Sequence, residues 1–269
     1  ATTEGKAIIT RLRYLLNGSD GESMPTQMRT LTAPYGDGTP AIDLPVGAYT
    51  MSHVAGFGLL YQITGDRKYA ELGKQCFDLA LQGYRDRDAS GRYSFLLPSG
   101  ALRAGPSLGW YAVGYDLCYD GWDDAYRRKI ALEIQNYNQG QYMSLGELTR
   151  GSRHSPGSNH WGMQVGGAAL ALLAIQGDPG INTRMIDSLL SISSNSMIRN
   201  MTEGFGDGGF FSEGDGTGSM SSQIAFLSAL QAWSHAMGRD YFNVERPNSK
   251  AMTLKWVYLT VVRGGRTDF

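Results

Sequence analysis

The sequence predicts an all-α protein in which antiparallel helix hairpins build an α/α toroid, with the long loops at one end. Three observations lead to this prediction. Apolar helices recur along the chain, and each ends in a short Gly/Asp turn that leads into an amphipathic helix. The loops between these hairpins are long and rich in glycine, unlike the short, regular loops of open solenoids. Little of the chain shows the alternating pattern of strands.

The inner helix of each hairpin is predicted from an apolar run that ends at a glycine. Glycine adopts the left-handed conformation that stops a helix, and the aspartate that follows it can cap the next helix. The third of these runs is hydrophobic nearly all round, as expected of a helix enclosed on every side. The predicted inner helices are residues 51–63, 107–119, 161–175 and 222–237.

The outer helix of each hairpin is predicted from apolar residues three and four positions apart. Leu72, Cys76, Leu79 and Ala80 show this spacing in the first outer helix. The inner helices are rich in small residues, whereas the outer helices carry most of the charges. The predicted outer helices are residues 68–84, 125–142, 181–199 and 250–262.

Three long loops join the hairpins, at residues 85–103, 146–158 and 204–218. Long loops at one end of a rigid helical barrel commonly build a substrate cleft. The chain is long enough for one large core, and we expect residues 1–269 to form a single helical domain.

Composition narrows the class of ligand. The chain has 36 Gly, 15 Tyr and 5 Trp, an excess that suits polar, ring-shaped ligands such as carbohydrates. A net charge of −1 argues against a nucleic-acid partner, which normally requires a basic excess. The sequence lacks the long apolar run that would span a membrane. Its small, polar first residues are typical of a mature end left by leader cleavage, so we expect a periplasmic or secreted protein.

Neither a metal nor a cofactor is predicted. The sequence contains no His-x-x-x-His or Cys-x-x-Cys pair, and its acidic residues do not follow the calcium-loop pattern. Cys76 and Cys118 both lie in apolar helical patterns, which favours two buried free thiols over a disulfide.

The segment around Asn159, His160 and Gln164 is the most informative part of the chain. It opens an apolar helix, and Ser158 or Asn159 can cap that helix. His160 and Gln164 lie four residues apart and share one helix face. An amide beside an imidazole can hold a carboxylate and move a proton next to it. In the alternative interpretation, Asn159 only caps the helix and His160 packs under a loop.

Further candidate residues lie in the loops. Arg153 and His154 precede the apolar helix, and arginine is a natural clamp for carboxylate or sulfate, although a solvated basic loop would look the same. Asp207 and Glu213 lie in a glycine-rich loop whose backbone can approach a ligand closely. Arg103 precedes a helix that carries Tyr111, Tyr115 and Tyr119 on one face, a stripe that suits the core or, at its loop end, a proton donor. The candidates for binding substrate are Arg103, Arg153, His154, Gln164, Glu213 and Gln223.

Two motifs in this order resemble the heparinase II/III-like polysaccharide lyases. They are Asn-His-Trp-Gly at residues 159–162, and Gly-Asp-Gly-Gly-Phe at 206–210 followed by Glu-Gly at 213–214. The resemblance implies an α/α toroid that carries the catalytic cleft, usually followed by a β-sandwich. The chain contains no such second domain, so we expect it to be a fragment that lacks the sandwich.

The resemblance also implies roles for residues. The Asn or His of the first motif contacts the uronate in the family, which assigns Asn159 and His160 to the catalytic site. A Tyr shortly after the Glu-Gly commonly acts as base or acid, but residues 215–218 contain none. Tyr111, Tyr115 or a group in the missing portion of the protein is therefore expected to serve instead.

The predicted reaction is β-elimination at a uronic acid of an anionic polysaccharide. Asn159, Gln164 or Gln223, with Arg103 or Arg153, would neutralise the uronate carboxylate, and His160 would be the base. One alternative is a glycoside hydrolase that uses Asp207 and Glu213 as its carboxylate pair. Another is a sugar-binding helical array without chemistry.

Overall fold

The computed structural model describes residues 2–25, 52–82, 94–214, 224–241, 261–263 and 266–268. Helices dominate these residues, which confirms the prediction of an all-α fold. The helices are α1 Thr3–Asn17, α2 Ser52–Thr64, α3 Arg67–Leu81, α4 Ala101–Cys118, α5 Asp124–Gln135, α6 Leu145–Thr149, α7 Asn159–Ile175, α8 Thr183–Glu203 and α9 Ile224–Met237. Two short strands, β1 Val261–Arg263 and β2 Arg266–Asp268, pair antiparallel.

The short turns between helices form as their sequence predicts. Gly65 and Gly177 follow α2 and α7 with φ of 70° and 83°, the left-handed conformation that ends a helix. The side chain of Asp66 then accepts a hydrogen bond from the backbone N–H of Lys68 at 3.0 Å, which caps α3. Asp123 caps α5 in the same way. Each short turn therefore reverses the chain into an antiparallel outer helix.

The inner helices α4 and α7 run parallel and touch through glycines. A Cβ atom placed on Gly167 would lie 1.8 Å from the carbonyl oxygen of Gly105, so only glycine allows this approach. Further along both helices, the Tyr115 hydroxyl donates a hydrogen bond to Asp178, just beyond α7. The contacts between α4 and α7 therefore advance in the same direction along both helices. Both helices begin at the same end of the molecule.

The other two inner helices continue this parallel order. Gly58 of α2 packs against Leu117 and Cys118 of α4, and Gly114 of α4 packs against Val54 of α2. On the other side, α9 packs against α7. In the described residues the inner helices therefore form a row in the order α2, α4, α7 and α9, and α2, α4 and α7 each lead through a short turn into an outer helix. Consequently, the described parts of the long loops lie at one end and the short turns at the other, as predicted.

The outer layer packs on an aromatic core. The ring of Tyr111 lies 5.0 Å from that of Phe77 and 5.2 Å from that of Phe95, measured between centroids. Phe95 also contacts Tyr137, and Phe77 contacts Trp122. Cys76 and Cys118 are buried free thiols, as the sequence predicts. None of the described helices combines the length and apolar character that a membrane crossing requires.

Three predicted boundaries are wrong. Helix α4 begins at Ala101, upstream of Pro106, because the turn before the proline is held by the close packing of Gly105 on α7. Helix α5 ends at Gln135 rather than at residue 142, since a polar turn with Gly140 at φ 117° follows. At the end of the chain, residues 261 and 262 belong to a strand, where the sequence pattern predicted a helix.

Candidate functional site at the start of helix α7

The loop before α7 is fixed by hydrogen bonds to α8. The Asn200 side chain donates to the carbonyl oxygen of Pro156 at 2.6 Å, and the Trp161 indole donates to that of Ser196 at 3.1 Å. Ser158 caps α7 by accepting from the backbone N–H of His160 at 3.2 Å. These bonds set the position and direction of the first turn of α7.

The glycine-rich loop after α8 folds back onto this first turn. Phe205 and Phe211 form an isolated antiparallel bridge, and their rings pack at a tilt of 54° with centroids 5.3 Å apart. The backbone N–H of Ser212 donates to Gly204 at 2.9 Å, and its hydroxyl donates to the carbonyl oxygen of Gly157. The loop therefore delivers the next residue, Glu213, to the N-terminus of α7.

The Glu213 carboxylate joins the two loops. It accepts hydrogen bonds from the backbone N–H of Asn159 at 2.7 Å and from its side-chain amide at 2.5 Å. Burial acts to raise the pKa of Glu213, but the bonds from Asn159 and Ser158 and the charge of His160 outweigh it and lower the pKa. Glu213 is thus an ionised clamp at a helix N-terminus.

The rings of His154 and His160 are in contact beside this clamp, with centroids 4.4 Å apart and planes tilted by 42°. Burial is the main cause that lowers the pKa of His160, the charges of His154 and Arg103 lower it further, and Glu213 opposes them. Burial and the charge of Arg153 lower the pKa of His154, again against Glu213. Both imidazoles are therefore neutral at neutral pH, the state a general base requires.

Two arginines make this end of the molecule electropositive. Arg103 lies half-buried in the first turn of α4, which begins beside α7, and its charge acts on His160. Arg153 has a left-handed backbone with φ of 70°, and its guanidinium lies over the ring of Tyr142, 4.5 Å from the centroid. Its charge acts on His154. With Glu213 as the opposing charge, the cluster suits an anionic ligand.

The structure brings Asn159, His160, His154, Arg103, Arg153 and Glu213 together, but it buries three other candidates, Gln164, Tyr111 and Tyr115. Gln164 is fully buried, and its amide makes no hydrogen bond with any described residue. Tyr111 lies in the aromatic core. Tyr115 binds Asp178 near the opposite end of α7 and is buried. The expected role of either tyrosine as proton donor therefore conflicts with its position.

Two predicted residues lie outside this description. Gln223 is outside the described residues, and so is the side chain of Asp207. The contact between the His154 and His160 rings is a feature that sequence reasoning missed, because five residues of loop and cap separate the two in sequence. Across the described ranges, no group of three His, Cys, Asp or Glu residues could hold a metal ion.

Comparison with known proteins does not assign the chain to a family. No protein-family model matches it, and no curated protein matches it.

Proposed function

We propose that the protein is a polysaccharide lyase that cleaves a uronic-acid polymer by β-elimination. The observation that carries the proposal is the position of the His160 imidazole, in contact with the His154 ring beside the clamped N-terminus of α7, where burial lowers its pKa. The order of the sequence motifs, which resembles the heparinase II/III-like lyases, supports it independently.

The first requirement of β-elimination is to stabilise the charge that develops on the uronate. The C5 proton is weakly acidic, and it becomes removable when the adjacent carboxylate is neutralised and the enolate is stabilised. The Arg103 guanidinium supplies positive charge. The Asn159 amide has two N–H donors, and its bond to Glu213 fixes the direction of the second. Glu213 thereby acts as a positioning residue rather than as an acid.

The second requirement is a base and an acid. His160 is the base: its neutral imidazole takes the proton from C5 as the C4–C5 double bond forms and the C4–O4 bond breaks. The imidazolium that results then gives its proton to O4 of the leaving sugar. Proton and electron pair balance without Tyr111 or Tyr115, which lie away from the cluster.

The hydrolase alternative is less favoured. A glycosidase needs one carboxylic acid with a raised pKa to protonate the leaving group. The hydrogen bonds from Asn159 and Ser158 lower the pKa of Glu213 below its usual range, against the effect of burial. The acid would then have to be Asp207, and no described feature supports that role.

The test is to incubate the protein with a panel of uronate polymers, including alginate, polygalacturonate, chondroitin and hyaluronan. A lyase generates an unsaturated uronate that absorbs ultraviolet light. We expect His160→Ala and Asn159→Ala each to lower the rate by roughly two to four orders of magnitude. Arg184→Ala, on the exposed start of α8, is the matched control and should keep full activity.

Each other outcome contradicts the proposal in a specific way. New reducing ends without ultraviolet absorbance would identify a hydrolase. Binding of the polymers without either product would identify a sugar-binding array. Near-normal rates in His160→Ala and Asn159→Ala, with circular dichroism unchanged, would reject the residue assignment.

A further inference from the structure

Arg153 differs from the other charged residues of the candidate site, because its guanidinium has no polar partner. It lies over the ring of Tyr142, 4.5 Å from the centroid, and within the described ranges it forms neither a hydrogen bond nor an ion pair. A guanidinium on an aromatic face keeps its N–H groups at the edge, where they can bind a carboxylate or sulfate through two parallel bonds. The residue is exposed, so a ligand can reach these donors.

Both members of this pair have a backbone conformation that side chains rarely adopt. Tyr142 has φ of 66° and Arg153 has φ of 70°, and Leu97 is the one other residue besides glycine in this region among those described. The left-handed conformation costs free energy for a bulky residue, and such residues cluster at ligand-binding and catalytic sites. Glycine at position 153 would avoid this cost, but it could not present a guanidinium.

Hydrogen bonds hold the two backbones in place. Tyr142 lies in a short hairpin that an antiparallel bridge closes between residues 138 and 144. On the other side, the residue before Arg153 is fixed, because the Ser152 hydroxyl donates to the carbonyl oxygen of Glu147 at 2.9 Å. The pair is therefore formed before a ligand arrives, which reduces the conformational entropy lost on binding.

The acidic side chains of the adjoining loops are bonded to other residues. Glu147 accepts hydrogen bonds from the backbone and hydroxyl of Ser144 at 3.1 and 2.7 Å, and Glu213 is bound to Asn159. Neither forms an ion pair with Arg153. An external anion is therefore needed to satisfy the guanidinium.

The pair lies across the two histidines from Arg103. Arg103 acts on the charge of His160 and not on that of His154, whereas Arg153 acts on His154 and not on His160. The two imidazole rings are in contact between them. A carboxylate that Arg103 holds beside His160 therefore leaves Arg153 available for an anionic group on a neighbouring sugar.

We propose that Arg153, held on the ring of Tyr142, binds the carboxylate or sulfate of the sugar next to the one that loses its C5 proton. This inference rests on the proposed lyase activity, and it narrows the substrate class to polymers whose consecutive sugars carry an anionic group. Polyuronates and sulfated uronate polymers have this property. Hyaluronan and unsulfated chondroitin alternate a uronate with a neutral sugar and lack it.

The test is calorimetric binding of tetrasaccharides to the whole chain with His160→Ala, which removes the base so that no ligand is cleaved. The probes are tetragalacturonate, tetramannuronate, and chondroitin tetrasaccharides with and without sulfate. At low salt, we expect Arg153→Gln to weaken binding of oligomers with consecutive anions roughly 10-fold and to leave binding of unsulfated chondroitin unchanged. Arg184→Gln removes the same charge at the exposed start of α8 and should change neither.

The pattern of losses identifies the anion. A loss confined to the uronate oligomers assigns a carboxylate to Arg153, and a loss confined to sulfated chondroitin assigns a sulfate. In the protein that retains His160, Arg153→Gln should raise KM for the same polymers roughly 10-fold and leave kcat unchanged, because the contact is remote from the reacting atoms.

Two further variants test whether the pair serves binding rather than folding. Arg153→Gly relieves the left-handed backbone, so the midpoint of chemical denaturation should stay the same or rise while binding falls as in Arg153→Gln. Tyr142→Leu should weaken binding of the same oligomers about 3-fold, because the guanidinium loses the ring that orients it.

Three results would overturn this inference and leave the lyase proposal standing. They are unchanged binding and KM in Arg153→Gln, an equal loss for unsulfated chondroitin, and a lower stability of Arg153→Gly. The absence of both binding and cleavage for every uronate probe in the protein that retains Arg153 would overturn both proposals.

Discussion

At the scale of single residues, the candidate site depends on which charges surround one imidazole. His160 is acted on by His154 from the preceding loop, by Arg103 from α4 and by Glu213 from the loop after α8. Burial, the Arg103 charge and any charge that His154 gains as pH falls favour the neutral ring, and Glu213 favours the charged ring. The balance lowers the pKa of His160, so the base is available through the neutral range.

We predict that substitution of these neighbours shifts the pKa of His160 in opposite directions. Glu213→Gln removes the group that stabilises the imidazolium and should lower the pKa further. Arg103→Gln removes a repulsive charge and should raise it. The measurement is a pH titration of the His160 ring resonances by NMR, with Arg184→Gln as the control. Shifts in the same direction for the two variants would contradict the assigned contacts.

The same pKa shifts predict how stability depends on pH. The folded pKa of His160 lies below its unfolded value, and so does that of Glu213. For both groups the unfolded chain binds more protons as pH falls, so the free energy of unfolding should decrease from about pH 6.5 downward. Denaturant melts between pH 7 and pH 4 measure this decrease. Glu213→Gln should make the acidic part of the curve shallower, and an unchanged slope would argue against the clamp.

At the scale of the helices, the site exists because α4 and α7 start together. Their parallel contact places Arg103 and His160 at one end, and glycines at 105 and 167 make the contact possible. We predict that Gly167→Ala destabilises the protein by about 2–4 kcal/mol, because its Cβ would meet backbone that cannot move aside. The added Cβ of Gly146→Ala in α6 would meet the flexible Arg150 side chain and, at an ordinary 3.8 Å, the Leu189 side chain, so stability should change by less than about 1 kcal/mol. Chemical denaturation of both variants measures this difference, and equal stabilities would contradict the tight contact.

The sequence predicts these helices well where local signals decide their limits. The Gly/Asp turns identify the hairpins, because left-handed glycine and aspartate caps act within one turn. The start of α4 was predicted too late because Pro106 normally marks a helix start. The tertiary packing of Gly105 overrides this local signal.

The tyrosine stripe was ambiguous in sequence, and only packing against Phe77 and Phe95 assigns Tyr111 to the core. The hydrogen bond between Asn159 and Glu213 joins residues 54 positions apart, and no local signal in the sequence identifies such a pair.

At the scale of the whole molecule, the two ends of the helix array differ in structure and charge. Long loops precede the inner helices and carry the electropositive cluster, whereas short Gly/Asp turns follow them. The inner helix α7 is walled in by α4, α8 and α9, and most of its seventeen residues are buried. Helix α1 lies at the edge, and Leu16 is its one buried residue. Rigidity should therefore be unequal across the fold.

We predict that native-state hydrogen exchange separates these helices. Amides of α7 should exchange only through global unfolding, because no smaller opening exposes a helix that is enclosed on every side. Amides of α1 should exchange through a local opening of lower free energy, since its apolar contacts are few. Mass spectrometry of peptides from residues 3–17 and 159–175 over a range of denaturant measures both. Leu16→Ala should speed hydrogen exchange in α1 and leave exchange in α7 unchanged. Equal protection of the two helices would contradict the prediction, because the candidate site would then lie on a scaffold no more stable than its surroundings.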